Sequence, residues 1–203
     1  MKTKLPFLLA VACVSSAAVA APQSFDFKDP KGVNNAVFKL DAPLEALSGS
    51  ASGISGNVTF DPADPASTAG KIVVASSSLH VGNPMQLKHM QGEQWLDVAK
   101  YPEISFEAKG VKNPRTEGNT TTAEVVGTFT LKGVSKDMTV PVKFTYLKDK
   151  LGQREPNKNG DLLVIRSNFA IKRSDFGIMP GKMEDKVADT IELTLSIAGG
   201  APH

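Results

Sequence analysis

Histidine side chains are the first candidates for metal binding or proton transfer in this chain. The chain has 3 histidines, which are His80, His89 and His203. A zinc site requires three or four closely spaced ligands, and neither His80 nor His89 has a glutamate at the spacing of a zinc motif. We therefore expect surface or hydrogen-bonded structural roles for His80 and His89.

Three short motifs resemble parts of catalytic or phosphate-binding sequences without completing them. Gly49–Gly53 has its serines at the wrong positions for a nucleophile elbow. Gly177–Lys182 is one residue short of a phosphate loop, and Met183 stands where Ser or Thr would bind magnesium. Asp61 and Asp64 lie in a proline-bounded turn, a position that aspartate favours. These residues predict no catalytic site, no metal site and no enzyme activity.

The charge balance and the cysteine count exclude further classes of protein. The chain has 23 Lys plus Arg against 21 Asp plus Glu, a formal net charge of +2. A nucleic-acid-binding protein normally carries a basic excess on one face, so we expect no nucleic-acid partner. The single cysteine, Cys13, cannot form an intramolecular disulfide or a cysteine-based metal site.

The first twenty residues have the layout of a secretory signal peptide. A basic start, Met1–Lys4, precedes an apolar run, Leu5–Val14, and small residues follow up to an Ala-x-Ala sequence that ends at Ala20. A run of about ten apolar residues is too short to span a bilayer as an anchor. A lipoprotein site at Cys13 is the alternative, although the residues before it fit poorly. We expect export and cleavage after Ala20.

Cleavage changes the composition of the chain that functions. Residues 21–203 lack Lys2 and Lys4, so the 23 basic residues become 21 and balance the 21 acidic ones. They also lack Cys13, and no disulfide can stabilise them. We expect residues 21–203 to form a single domain that apolar burial alone stabilises.

Alternation of apolar and polar residues predicts a mainly β structure. The pattern is clearest at Met138–Tyr146 and Ile191–Ile197, where every second residue is apolar. Less regular alternation predicts further strands at Ala36–Leu40, Ile54–Phe60, Lys71–Ser77, Glu103–Lys109, Glu124–Leu131 and Leu162–Ile171. About eight strands with short connections are typical of an antiparallel up-and-down sheet, closed into a barrel or stacked as a sandwich.

One short helix is predicted near residues 84–91. Asn83 is a favourable N-cap, Pro84 fits the first helical position, and the segment ends near Gln91. Pro141 lies on the polar face of its strand. It indicates either an edge strand or a ladder position where a missing N–H does no harm.

Several motifs together resemble one protein family. The most specific is Asp97–Phe106, and the others are Gly56–Pro65, Gly82–Pro84, His89, Trp95–Val98, Val126–Val134 and Arg173–Gly177. They cover most of residues 54–197 and are similar to those of the YceI family. The resemblance implies an exported periplasmic protein, an all-β eight-stranded lipocalin-like barrel, and binding of a polyisoprenoid or another long-chain lipid.

The chain also departs from the family pattern at two places. Asp29 and Pro30 are followed by Lys31–Val33, without the histidine that family members often carry. Gln86–Met90 stands where an Arg-Asp-x-His-Leu segment is common. The loss of the Arg–Asp pair puts a shared polar contact with a ligand headgroup in doubt and favours a subgroup with a different ligand.

A long-chain ligand would need an apolar interior, because burial of its tail supplies the binding energy. Eight strands enclose just enough space for side chains or one small ligand. The residues expected to line the tunnel are Phe38, Phe60, Met85, Met90, Trp95, Phe106, Phe129, Phe144 and Phe169.

Smaller and polar residues complete the expected site. His89 is a candidate polar contact, and Gly127 and Ser167 are small residues that leave room for a tail. Lys88 and Arg173 are candidates for a charged headgroup contact, although solvent exposure is the simpler expectation for both. No cofactor is expected besides a bound lipid such as an isoprenoid quinone.

Three hypotheses remain open from the sequence. The first is a carrier of a polyisoprenoid or similar amphiphile. The second is a structural module with a fully packed barrel and no ligand, and the third is an enzyme that depends on His89. Apolar residues of a filled core and of a lipid tunnel are of the same types, so the sequence does not separate the first two. Homodimerisation through the Pro141 strand also stays open.

Overall fold

The computed structural model describes residues 21–203, and the signal peptide predicted at 1–20 lies outside them. Eleven strands make up most of this part of the chain. They are β1 (Gln23–Asp26), β2 (Asn35–Asp41), β3 (Ala46–Ala51), β4 (Ile54–Phe60), β5 (Ala69–Ala75), β6 (Leu79–Val81), β7 (Glu103–Glu117), β8 (Thr120–Leu131), β9 (Val134–Leu147), β10 (Gly160–Lys172) and β11 (Thr190–Pro202). Two α-helices accompany them, α1 (Pro84–Gln91) and α2 (Leu151–Arg154), together with three short 3₁₀ helices at Pro65–Ser67, Ser76–Ser78 and Arg173–Phe176.

The strands form one antiparallel sheet that closes on itself. Strands β1, β4, β5, β7, β8, β9, β10 and β11 pair in that order, and Asp26 of β1 pairs with Gly200 of β11 to complete the ring. The remaining three strands, β2, β3 and β6, continue the line from β11. The predicted eight-stranded antiparallel barrel with one short helix near residues 84–91 is confirmed.

The two ends of the barrel differ, and each is named here by its elements. The closed end carries β1, α2, the turn between β7 and β8, and the C-terminal half of β11. The open end carries α1, the turn between β2 and β3, the turn between β8 and β9, and a loop over residues 177–189. Lys132 and Gly133, with φ of 49° and 73°, form the two-residue β8–β9 turn, which requires positive φ.

A buried asparagine, Asn34, lies between β1 and β2 and bonds to the backbone of β11. The side-chain amide of Asn34 donates to the carbonyl oxygens of Phe27 and Ala198, at 3.1 and 3.0 Å. Its Oδ1 accepts from the N–H of Ala198 at 2.8 Å and from Arg154 at 2.7 Å. The amide thus substitutes for a peptide group and satisfies the backbone of β11 at the junction.

Helix α1 begins as predicted, because its N-terminal signals are local. Asn83 Oδ1 accepts hydrogen bonds from the N–H groups of Met85 and Gln86, at 2.9 and 3.4 Å, and Pro84 occupies the first turn. The polar stretch between β9 and β10 contains the single-turn helix α2.

Pro141 lies inside the sheet and not on an edge strand, because β9 pairs with both β8 and β10. Its carbonyl points to β10, where it accepts a hydrogen bond from the Ser167 hydroxyl at 2.6 Å. The β9–β10 ladder ends at the neighbouring pair, Val142 and Ser167. The missing N–H of Pro141 therefore costs no ladder bond, and toward the open end β9 and β10 separate.

Candidate functional site

A cavity of about 510 Å³ occupies the barrel between its middle and its open end. Alternate side chains of the barrel strands form its wall, and most of them are apolar. The volume lies in the range of pockets for small molecules, about 300–1,000 Å³. The interior is therefore not fully packed, in contrast to the structural-module hypothesis.

The cavity stops where aromatic side chains fill the closed end. Phe60 is 1% exposed, and its ring stacks on that of Phe144, with centroids 5.4 Å apart. Phe25 and Phe27 are fully buried in the same cluster. Above this cluster the wall residues Ile72, Phe106 and others face the cavity and are only half-buried. The closed end is a packed core, and the cavity is a cup above it.

The structure places seven of the nine predicted tunnel residues on the cavity wall. They are Phe38, Met90, Trp95, Phe106, Phe129, Phe144 and Phe169. The other two do not line the cavity. Phe60 belongs to the closed-end core, at the last position of β4, and Met85 is 60% exposed on the outer side of α1.

The small residues expected to leave room for a tail behave differently from each other. A side chain at Gly127 would collide with the ring of Phe106, so the space next to Gly127 is already filled. Ser167 lines the cavity, and its hydroxyl donates to Pro141. Only Ser167 thus leaves space on the wall.

Arg173 is not an exposed residue or a headgroup contact, as the sequence suggested, but a buried anchor of the open end. It is 1% exposed. Its five N–H groups donate to five backbone carbonyls, those of Ile178, Met179, Lys182, Val187 and Ala188. The guanidinium also lies 5.7 Å from the ring centre of Trp95. With every donor used, Arg173 fixes the loop over residues 177–189 at the side of the cavity.

Four wall residues with charged, amide or imidazole side chains lie at the open end. His89 and Gln86 lie on exposed positions of α1, while Glu45 follows the β2–β3 turn and Lys186 belongs to the 177–189 loop. His89 is thus at the mouth of the cavity, where it was predicted as a polar contact. Lys88 is exposed on the same helix and does not line the cavity. The mouth offers hydrogen-bonding groups, whereas the depth of the cavity offers apolar surface.

Several wall residues were not predicted. The inner faces of β10 and β11 contribute Ile165, Ile191, Leu193 and Leu195. Their alternation in the sequence already indicated one buried face, but the prediction selected aromatic residues alone. Val187 of the 177–189 loop lies in a segment without periodicity, and no sequence signal indicated it.

A separate polar cluster lies at the closed end. The Tyr146 hydroxyl donates to Asp161 Oδ2 at 2.6 Å, and the N–H of Asp149 donates to Oδ1 at 2.7 Å. Burial and the hydrogen bond to Asp161 raise the pKa of Tyr146 to about 12. Burial disfavours the charged form of Asp161, but these donors outweigh it and hold the pKa of Asp161 below its usual value.

One group within residues 21–203 has ligand atoms close enough together for a metal ion. Asp149, Asp161 and His203 place theirs within 4.8 Å of one another. Both oxygens of Asp161 already accept hydrogen bonds, and none of the three residues lines the cavity. We therefore interpret the three residues as part of the hydrogen-bonded cluster around Tyr146 and Asp161, outside the cavity.

Comparison with known proteins agrees with this architecture. Residues 29–198 match the family of YceI-like domains. A UPF0312 protein of Yersinia pestis (strain Pestoides F) is 31% identical over 153 residues, which are 75% of this chain and 73% of the relative. Residues 21–203 contain no helix with the length and hydrophobicity needed to span a bilayer.

Three solved structures are similar in fold. BcnA of Burkholderia cenocepacia superimposes with a TM-score of 0.63 at 25% identity, covering 81% of this chain and 94% of that one. The YCEI protein of Campylobacter jejuni gives 0.61 at 23%, covering 76% and 85%. A polyisoprenoid binding domain from Saccharophagus degradans gives 0.63 at 12%, covering 90% and 100%. By its sequence match and its barrel, the chain belongs to the YceI-like family.

Proposed function

We propose that this protein is exported to the periplasm and binds the apolar tail of a polyisoprenoid, such as an isoprenoid quinone, or of a similar long-chain amphiphile. The observation that carries the proposal is the apolar cavity, with Glu45, Gln86, His89 and Lys186 at its open end. The description of the Saccharophagus degradans neighbour as a polyisoprenoid binding domain supports the same ligand class. The family supports a binding protein and not an enzyme.

The size of the cavity limits how much of a ligand it can enclose. At ~30 Å³ per heavy atom, the share of a water molecule in the liquid, 510 Å³ holds about 17 heavy atoms. That is about three isoprene units or a fatty chain of medium length. A longer polyisoprenoid would place the terminal units of its tail inside the cavity. The remaining units and the headgroup would stay outside the mouth.

Apolar burial can supply the affinity without a specific polar contact. Each buried methylene contributes about 0.8 kcal/mol, and a tail of this size contributes several such increments. The cost of association and of ordering the chain reduces the total. Such binding selects the tail by length and shape, while His89 and Gln86 at the mouth are placed to contact a headgroup.

The first experiment identifies the ligand directly. The protein is purified without detergent from its native compartment, extracted with organic solvent, and the extract is analysed by mass spectrometry. We expect an isoprenoid or a related amphiphile at a stoichiometry near one. Repeated lipid-free preparations that also fail to bind isoprenoid quinones or fatty amides in titrations would contradict the proposal.

The titrations have a built-in reporter and a matched pair of variants. Trp95 is the only tryptophan of the chain and lies on the cavity wall, so its fluorescence should change on binding. Ala108→Phe fills part of the cavity and should weaken binding at least about tenfold, equivalent to about 1.4 kcal/mol. Ala170→Phe makes the same change on the exposed face of β10 and should leave binding unchanged.

A further inference from the structure

Exposed apolar side chains collect around the mouth of the cavity. Within residues 21–203, five large apolar residues are exposed, and three of them belong to the open end. Leu44 is 68% exposed on the β2–β3 turn, Met85 is 60% exposed on α1, and Met183 is 47% exposed on the 177–189 loop. Met183 lines the cavity, and Leu44 and Met85 each precede a lining residue. These three residues are called the rim.

Hydrogen bonds fix the three segments that carry the rim residues. The N–H of Leu44 donates to the carbonyl of Asp185 at 2.9 Å, which ties the β2–β3 turn to the 177–189 loop. Arg173 fixes that loop from below through its five hydrogen bonds. Asn83 caps the helix that carries Met85. The three apolar side chains are therefore exposed on segments whose backbone is fixed by hydrogen bonds.

The charges around the rim balance one another. Lys88, Lys132, Lys182 and Lys186 provide four ammonium groups at the open end, and Glu45, Glu184, Asp185 and Asp189 provide four carboxylates. A neutral rim gives no long-range attraction to an anionic or a cationic partner. It fits the zwitterionic surface of a bilayer, where apolar side chains enter the boundary between headgroups and acyl chains.

We infer that the rim docks the mouth of the barrel transiently on a lipid bilayer, so that a tail can pass between the membrane and the cavity. The inference rests on the proposed function, because it joins an apolar cavity to the phase in which long-chain amphiphiles reside. The continuity of the exposed rim with the cavity wall carries it.

A second copy of the chain would need more apolar surface than the rim provides. At ~200 Å² for a fully exposed large side chain, the three side chains offer on the order of 350 Å². A stable interface buries about 800 Å² per partner. Reversible contact with a bilayer requires no such minimum, since its strength scales with whatever apolar area enters.

The test measures sedimentation of the full protein with vesicles of phosphatidylcholine, alone and with about a quarter phosphatidylglycerol. Leu44→Gln, Met85→Gln and Met183→Asn remove the rim without adding charge, and asparagine tolerates the positive φ of 57° at Met183. The three substitutions are tested singly and combined in one triple variant. Each should lower the vesicle-bound fraction about five- to tenfold. Val33→Gln, 56% exposed at the junction of β1 and β2, is the matched control and should have no effect.

Salt and lipid charge provide the second readout. Because the rim is neutral, partition should change less than about twofold when salt screens the charges or phosphatidylglycerol is added. Unchanged sedimentation of the triple variant, an equal loss in Val33→Gln, or strong salt dependence would overturn the inference. A concentration-dependent dimer that the triple variant dissociates would also overturn it, because the rim would then be a self-association surface.

The inference and the proposed function fail in different experiments. Titration of detergent-solubilised isoprenoid quinone, followed by Trp95 fluorescence, bypasses the membrane. The double variant Leu44→Gln/Met85→Gln should bind this ligand as the unaltered protein does, because neither residue lines the cavity. If neither protein binds the quinone, the proposed ligand is wrong. If the variant sediments with vesicles as well as the unaltered protein does, the docking surface is wrong.

Discussion

At the closed end of the barrel aromatic and aliphatic side chains fill the interior, whereas at the open end a buried arginine and a short helix surround an unfilled cavity. The first region derives its stability from apolar packing, as the complete burial of Phe25 and Phe27 indicates. The second derives its shape from hydrogen bonds between Arg173 and the 177–189 loop. The comparison shows how one barrel can separate stability from binding: the packed half maintains the fold, so the other half can stay empty.

The largest expected effect is the removal of a closed-end ring. Phe60→Ala should lower the free energy of unfolding by about 3–5 kcal/mol, because it opens a new cavity in a packed cluster. Phe169→Ala, on the half-buried cavity wall, should cost about 2 kcal/mol, because less buried surface is lost. Urea denaturation measures both, and equal losses would contradict the distinction between the two ends.

The second effect concerns the anchor of the open end. Arg173→Met keeps most of the side-chain volume but leaves the five loop carbonyls without their donor, which should cost about 3 kcal/mol. Hydrogen exchange should accelerate in the 177–189 loop before the rest of the barrel. Arg173→Lys, with three donors, should recover only part of the loss.

A matched control for the anchor is Arg166→Met, on the exposed face of β10. It should change the free energy of unfolding by less than about 0.5 kcal/mol. If hydrogen exchange of the loop is the same in Arg173→Met as in the control, the loop is held by packing and not by the guanidinium.

The third effect is the pH dependence of the closed end. The folded state raises the pKa of Tyr146 to about 12, so its contribution is complete below the unfolded pKa of about 10 and is lost as pH rises from there to about 12. The folded state lowers the pKa of Asp161, so that contribution is present above the unfolded value and is lost as pH falls through the folded one.

Tyr146→Phe tests this linkage. It should cost about 1 kcal/mol at neutral pH, abolish the part of the alkaline loss that belongs to Tyr146, and reduce the acid loss of Asp161. Urea midpoints measured from acid to alkaline pH give all three quantities. A variant whose stability follows the same pH curve as the unaltered protein would show that the pair is not coupled to folding.

The smallest effect separates two methionines of one helix. Met85→Ala removes an exposed side chain and should change the free energy of unfolding by less than about 0.5 kcal/mol, with no change in ligand affinity. Met90→Ala removes a wall side chain and enlarges the cavity. The ligand loses that contact, so binding should weaken several-fold. Fluorescence titration compares the two, and equal affinities would place the ligand away from α1.

Local signals in the sequence predicted much of the fold. The bounds of β4 coincide with the predicted Ile54–Phe60. Helix α1 begins at Pro84, as Asn83 and Pro84 indicated, and ends at the predicted Gln91. The short strands β1, β3 and β6 were not predicted. Strand β3 contains Ser48, Gly49 and Ser50 and has no apolar alternation, so it becomes a strand only because β2 and β6 provide hydrogen-bonding partners on both sides.

The site was less predictable, because it depends on height along the barrel axis. Phe60 and Phe106 both point inward, yet one lies in the packed core and the other on the cavity wall. Alternation reports the face of a strand and not the level at which a side chain enters the interior. The role of Arg173 was missed because its acceptors are backbone carbonyls, which have no signature in the sequence.

The β9–β10 ladder ends at Val142 and Ser167, so backbone hydrogen bonds constrain the barrel circumference differently at its two ends. Around the closed end, backbone hydrogen bonds fix the circumference, and a change of diameter would break them. Beyond Pro141 the facing stretches of β9 and β10 share no ladder, so the circumference there can widen at the cost of side-chain contacts alone. For the ligand class proposed above, this means that tails of different thickness fit the open end without any loss of sheet.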